Sequence, residues 1–200
     1  DYADIEGLEH LRAALATGRG VLLFGGHFPI SELCARLLGE ALGQPISIMA
    51  RRNNDACVED LLNEARHRVF ASVIDKKDVR GLLRILSKGG IVAYSADQNF
   101  TYQNAFVPFF GVQAATLTAT SDLVRRSKAI VLPFWFHRDA QGRYQLRIEP
   151  SWANWPSDDL VADAALYMRE LEHVVRQHPE QYLWMHRRFK TRPAGEPDLY

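Results

Sequence analysis

Four groups of polar residues in this chain have types and spacings that could do chemistry. In the stretch VLLFGGHFPISE, from Val21 to Glu32, an apolar run stops at Gly25-Gly26 and delivers His27, and Glu32 follows five residues later. Histidine has the intrinsic pKa to take a proton from a hydroxyl near neutral pH, and a nearby carboxylate would hold the ring in one tautomer and stabilise the imidazolium. Five residues would separate the two groups on a regular helix, so the pairing requires His27 to lie in the turn before it; the plain alternative is a histidine that hydrogen-bonds a loop. Ser31 lies outside a G-x-S-x-G context, which argues against an activated serine. Asp97-Gln98 follows a second apolar run, Ile91–Ser95. It is expected on the same rim as His27, unless it is an ordinary turn. Arg66 and Arg68 could clamp an anion bidentately, or be solvated charges at a helix end. Finally, HRRFKTRP places Arg187, Arg188, Lys190 and Arg192 together with no acid, a cluster suited to phosphates or anionic headgroups if it is not an idle surface patch.

These residues must be positioned by elements that the apolar pattern outlines. Ile5–Ala16 carries a helical stripe (Leu8, Leu11, Leu15), and Val21–Gly25 is a buried strand. Pro29 suits the first turn of a helix over Pro29–Leu42, which Gly43 stops. Pro45–Ala50 and Val69–Ile74 read as strands, with a helix over Asn54–Arg68 between them. Asp75 caps a helix that ends at Gly89-Gly90, and the strand Ile91–Ser95 follows. Asn99–Gly111 is expected as a loop whose Phe100, Phe106, Phe109 and Phe110 cover the core or line an apolar channel. Ala114–Arg126 is expected as a helix, and Ile130–Phe136 with Tyr144–Ile148 as an antiparallel hairpin. The clearest helix runs from Ser157 to His178, with Asp158 and Asp159 at its start and Arg176 near its end, as the macrodipole prefers. Alternating strands and helices argue for one α/β domain over residues 1–200, with a mixed, mostly parallel sheet flanked by helices.

Composition narrows the classes. With 200 residues, 47% apolar content and zero formal net charge, the chain can bury a large core and offers no bulk attraction to nucleic acid. Cys34 and Cys57 both fall in expected helices without zinc-type spacing, and the histidines lack H-E-x-x-H spacing, so neither a disulfide framework nor a catalytic metal is expected. G-x-G-x-x-G and Walker A loops are missing. No apolar run approaches the ~18 residues of a membrane span, and the abrupt start at DYADIEG suggests an upstream anchor outside this chain.

The segments GGHFPISE, RRNND followed by ARHR, SKGGIVAYSADQNF, VPFFGVQAATLTAT and PEQYLWMHRRFKTRPAGEPDLY together resemble one family, the late (secondary) acyltransferases of lipid A biosynthesis in Gram-negative bacteria, and cover the chain from Val21 to Tyr200. H-x4-E alone is shared with the wider glycerolipid acyltransferase superfamily; the later segments are more specific. The resemblance implies a glycerolipid-acyltransferase-like fold and transfer of a fatty acyl group from an acyl carrier protein thioester to a lipid A precursor of the Kdo2-lipid IVA type. The acceptor would be the 3-hydroxyl of an attached hydroxyacyl chain. It further implies His27 as general base, Glu32 as orienting carboxylate, Asp97 and one or both of Arg66 and Arg68 as polar site residues, and no cofactor. The expected place is the cytoplasmic face of the inner membrane, against the membrane surface, anchored by an N-terminal helix that this chain does not carry. Gln98, Arg187, Arg188 and Lys190 are expected to help bind substrate. The rival readings are an acyl-CoA-dependent enzyme acting on another glycolipid or glycerolipid, and a catalytically idle lipid-binding domain.

Overall fold

A computed structural model describes residues 2–200 of the chain. The strand Val21–Gly25 (β2) is buried at every position, as a run without polar alternation requires. It is flanked by Ile91–Ser95 (β5) on one side and Ile130–Arg138 (β8) on the other, both parallel to it. Ser47–Ala50 (β3) and Ser72–Asp75 (β4) extend the parallel sheet beyond β5. Tyr144–Ile148 (β9) pairs antiparallel with β8, and Ala3–Glu6 (β1) closes the far edge parallel to β9. The seven-stranded order is therefore β1-β9-β8-β2-β5-β3-β4, a mostly parallel sheet with one antiparallel junction, as the sequence implied.

Among the described residues six α-helices flank the sheet: Leu8–Ala16 (α1), Ser31–Leu42 (α2), Ala56–His67 (α3), Val79–Ser87 (α4), Ala119–Ser127 (α5) and Leu160–Gln177 (α6). Asp55, Asp78 and Asp159 cap α3, α4 and α6 by accepting backbone N–H groups of the first turns; the cap of α4 is therefore Asp78 and not the expected Asp75, which ends β4. The core gathers around β2, with Phe24, Leu38, Leu82, Met168 and Leu171 fully enclosed. Cys34 and Cys57 are free and lie in α2 and α3.

Two further expectations are corrected. Ile5 belongs to β1 and not to the first helix, because Gly7 intervenes at φ +77°. A Cβ at Gly7 would meet the Ile148 carbonyl oxygen at 1.9 Å, so only glycine lets the chain turn there against β9. The segment expected as a phenylalanine loop followed by a helix from Ala114 is instead a separate antiparallel hairpin, Asn104–Phe109 (β6) with Val112–Leu117 (β7), and the helix starts only at Ala119. Thr116 and Phe106 favour strand, and Gly111 at φ +76° makes the tight turn. The hairpin packs on α6. Its phenylalanines divide: Phe109 is fully buried in the core, Phe106 is exposed, and Phe100 lines the cleft described below.

Candidate active site

The site is built by strand register. Gly25 of β2 pairs with Ser95 of β5, and each strand is followed two residues later by a polar group, His27 and Asp97. Parallel neighbours ending in step place those two residues side by side, about one strand spacing apart. Gly26 lets α6 pack close to this turn, since a Cβ there would sit 2.5 Å from Leu171 Cδ1. His27 Nδ1 lies 2.5 Å from Asp97 Oδ1, while the His27 backbone N–H donates to Asp97 Oδ2 at 2.9 Å. The Tyr182 hydroxyl donates to the same Oδ2 at 2.8 Å. Asp97 is thus an enclosed carboxylate with three donors aimed at it.

Other contacts fix this corner. Tyr167 of α6 stacks on Phe24 with centroids 4.0 Å apart, donates its hydroxyl to the Gly25 carbonyl at 2.8 Å, and accepts the Ala96 N–H at 3.2 Å. It ties the ends of β2 and β5 together, just before the two reactive positions. On the C-terminal segment, the Leu183 N–H donates to the His27 carbonyl, and His186 Nε2 accepts the Asn99 N–H at 2.8 Å. The amide of Asn99 exchanges hydrogen bonds with Thr191. Residues 182–191 therefore form a strap over the site.

The electrostatics follow from burial and pairing. Burial alone would push Asp97 up. The charge of His27 and the hydrogen bonds from the His27 ring, its N–H and Tyr182 outweigh it, holding the carboxyl down at about 2. Burial likewise pulls His27 down, and the Asp97 charge and hydrogen bond reverse this, leaving the imidazole raised above its ordinary 6.5. Because Asp97 is ionised, neutral His27 carries its proton on Nδ1. Nε2 is then the basic nitrogen, on a side chain that is 36% exposed and lines a cleft.

That cleft has a volume of about 650 Å3. Leu23, Ala35, Ile48, Leu82, Phe134 and Phe136 form apolar lining, and Arg51, Arg66, Lys76 and Arg126 bring positive charge to it. Such a mixture suits a ligand with an apolar chain and an anionic head. Among the described residues no group of three or more His, Cys, Asp or Glu side chains is arranged to hold a metal ion.

The expected site residues fare differently. His27, Glu32, Arg66 and Gln98 all line the cleft, and Asp97 stands behind His27. The carboxylate that holds the His27 ring is Asp97, the position reserved in the sequence reading for Glu32. Glu32 instead gives both oxygens to Arg66, which reaches them through Nε at 2.9 Å and a terminal nitrogen at 2.5 Å. The reason is helical geometry: α2 begins only at Ser31, so Glu32 sits on its first turn and faces α3. Of the two arginines left open, Arg66 is largely enclosed at the cleft, while Arg68 is exposed, paired with Glu64, and does not line it.

The basic C-terminal cluster is not one patch. Arg188 is 1% exposed, donates to the Ala115 carbonyl and to Thr116 Oγ1, and lies over Phe109, so it is a core pillar of the strap. Arg187 and Lys190 are exposed and do not line the cleft. Sequence reasoning missed Tyr182, Tyr167, Arg51 and Lys76. For Tyr182 the signal was present, since it lies inside the segment PEQYLWMHRRFKTRP, but only the fold shows which carboxylate it reaches.

A mostly parallel α/β sheet with a histidine–aspartate pair at the carboxyl ends of its central strands, opening on a half-apolar, cationic cleft, is an arrangement able to accept a proton beside an amphipathic ligand. Over residues 1–191 the chain matches the family described as bacterial lipid A biosynthesis acyltransferase, and it belongs to that family. It is 39% identical over 202 residues to the lipid A biosynthesis lauroyltransferase of Escherichia coli (strain K12), spanning 100% of this chain and 65% of that protein. It is 38% identical over 203 residues to the lipid A biosynthesis palmitoleoyltransferase of the same organism, with the same coverage. With the lipid A biosynthesis myristoyltransferase of that organism it shares 27% over 205 residues, 98% of this chain and 62% of that protein. The chain thus spans about 65% of the length of the first two relatives. Among the described residues no helix is long and apolar enough to cross a membrane.

Proposed function

We propose that this chain carries out acyl transfer from a thioester donor, acyl carrier protein being the expected one, to a hydroxyl of a lipid A precursor of the Kdo2-lipid IVA type. The observation that carries this reading is the His27–Asp97 pair at the wall of a cleft with both apolar lining and cationic groups. Neutral His27 accepts the acceptor's hydroxyl proton on Nε2 as that oxygen attacks the thioester carbonyl carbon. The tetrahedral oxyanion collapses, the carbon–sulfur bond breaks, and the departing thiolate takes the proton back from the imidazolium. An ester and a free thiol result, and the imidazole is neutral again. Asp97 fixes the tautomer and stabilises the transient imidazolium. General-base help is worth roughly 10²–10⁴-fold and a well-placed oxyanion donor roughly 10²–10³-fold, enough for an activated thioester without a covalent intermediate.

In this reading Glu32 acts through Arg66. The carboxylate holds the guanidinium at the cleft, where its charge meets the oxyanion or a phosphate. Gln98, Arg51 and Lys76 orient the head of the acceptor, and the exposed Arg187 and Lys190 act on headgroups outside the cleft. The reaction uses no cofactor, and the chain works at the cytoplasmic face of the inner membrane. The test is His27→Ala, assayed with acyl carrier protein thioester and lipid acceptor by mass spectrometry of the lipid product. Transfer is expected to fall at least about 10²-fold with folding unchanged; wild-type turnover would end the proposal. Acyl-CoA offered in parallel separates the two donors.

A further inference from the structure

Helix α3 is built inside out. Its partly buried positions are all polar: Glu59, Asn63 and Arg66. They are hydrogen-bonded among their neighbours, Glu59 accepting the Asn53 N–H at 2.6 Å and the Asn63 amide at 2.9 Å, and Arg66 clasping Glu32. The opposite face carries Cys57, Val58, Leu61, Leu62 and Ala65, every one of them exposed, with Leu61 at 68%. A surface helix of a self-contained domain turns its apolar stripe inward, so an apolar stripe turned outward at helical spacing marks a face that meets an apolar phase.

The chemistry around that face favours one such phase. The loops that lead into α3 and α4 expose Arg51, Lys76 and Lys77, and the first turn of α4 exposes Arg80. Most acids of the same region are engaged: Asp55 and Asp78 cap the two helices, Asp75 pairs with Arg52, Glu64 pairs with Arg68, and Glu59 bonds Asn53 and Asn63, which leaves exposed Asp60 against the four cations. In a chain of zero net charge this is a local cationic rim beside an apolar face, the two features that draw an amphipathic helix into an anionic lipid interface. A second copy of the chain would bring the same cations together. The face is also continuous with the site, because Arg66 on its inner side lines the cleft, as do Val79 and Tyr102, which are 48% and 62% exposed.

We propose that the outer face of α3, with its cationic rim, seats this protein on an anionic bilayer, so that a lipid enters the cleft from the membrane without crossing water. The proposal rests on the reading above that the acceptor is a lipid. The test is sedimentation with vesicles of phosphatidylethanolamine and phosphatidylglycerol that contain no acceptor lipid, comparing the wild-type chain, the double variant Leu61→Ser/Leu62→Ser, and His27→Ala. Partition of the double variant is expected to fall roughly tenfold or more, with its fold retained because Leu61 faces solvent and Leu62, 36% exposed, lies outside the core. Partition should be weaker on neutral phosphatidylcholine, and His27→Ala should partition as the wild type does. Turnover of acceptor dispersed in detergent micelles should survive in the double variant.

Unchanged partition of the double variant overturns the proposal. So does light scattering that shows a wild-type dimer which the double variant dissolves, or a loss of binding to acyl carrier protein with vesicle partition intact. Failure of the acyl-transfer reading would show as absent turnover in the wild type while these vesicle measurements stand, so the two can fall separately.

Discussion

Replacing Asp97 by asparagine tests the core of the mechanism, and the structure sets the size of the effect. Three donors point at this side chain: the His27 N–H and the Tyr182 hydroxyl at Oδ2, and the His27 ring at Oδ1. An amide offers one oxygen and one NH2. Keeping the oxygen towards the two donors at Oδ2 preserves both bonds, but turns the NH2 towards Nδ1, which must then accept. The neutral ring is forced to carry its proton on Nε2, and the base is lost. The reverse orientation restores the reactive tautomer by leaving the enclosed His27 N–H facing an NH2, from which the Tyr182 hydroxyl turns to accept, at about 1–3 kcal/mol for the unmade bond. A population cost of about 1–3 kcal/mol corresponds to a fall in kcat of about 5- to 160-fold, at 1.36 kcal/mol per factor of ten.

The pH profile moves as well. Wild-type activity should rise as pH passes through the raised His27 pKa, above 6.5, because only neutral imidazole accepts a proton. Without the carboxylate only burial remains, and the acid limb should shift below 6.5. Stability follows the same linkage. The Asp97 contribution is present above the unfolded value of about 3.9 and is lost as pH falls towards about 2. The His27 contribution is full below about 6.5 and is lost as pH rises through its folded value. Both vanish in the variant, so its melting temperature should lie furthest below wild type between about pH 4 and 6.5. Steady-state rates across pH and thermal melts at each pH check this. Activity within threefold of wild type, with an unmoved acid limb, would refute the pairing as the source of the base.

Two further outcomes follow from the same geometry. Tyr182→Phe removes one donor from Asp97 and makes that carboxylate more basic; kcat should fall about two- to tenfold, and the acid limb should move up in pH, a shift that loss of packing alone would not produce. Glu32→Ala and Arg66→Ala should be non-additive in a double-mutant cycle of stability, coupled by about 1 kcal/mol because the pair is bidentate but Glu32 is half exposed. In both single variants a rise in KM for the acceptor with kcat kept assigns Arg66 to a phosphate, a fall in kcat assigns it to the oxyanion, and a kcat loss in Glu32→Ala that Arg66→Ala does not share would place Glu32 itself in the chemical step.

Most of the fold was legible because its signals are local. Val21–Gly25 and Ile91–Ser95 are apolar runs bounded by glycine or a polar pair, and α6 carries an aspartate cap, an apolar stripe and a stop; α4 carries the same marks, but its cap is Asp78 where Asp75 was expected. What misled was a segment whose partner decides its state. Ala114–Leu117 would pass as the start of a helix, and it is a strand only because Asn104–Phe109 lies against it. Ile5 fitted the α1 stripe, and Gly7 overrides that fit through a contact with Ile148 more than a hundred residues away. The basic cluster at 187–192 had the composition of a surface patch, but composition does not say that Arg188 turns inward to two groups on β7.

The misplaced partner of His27 is the sharpest case of this limit, and it has a physical cause. Glu32 is near His27 along the chain, so proximity in sequence favoured it; Asp97 is 70 residues away and 2.5 Å distant. Yet the information was partly there. If two parallel strands are neighbours and end in step, the residues two past each end must meet, and both Gly25-Gly26-His27 and Ser95-Ala96-Asp97 have that form. Only the strand order, β2 beside β5 with β3 and β4 displaced to the edge, was needed to choose Asp97. That order comes from packing of the whole sheet and is written in no single motif. The same order releases Glu32 to hold Arg66 against the cleft, so H-x4-E delivers one proton acceptor and one anchored cation, and the histidine's own carboxylate arrives from the neighbouring strand.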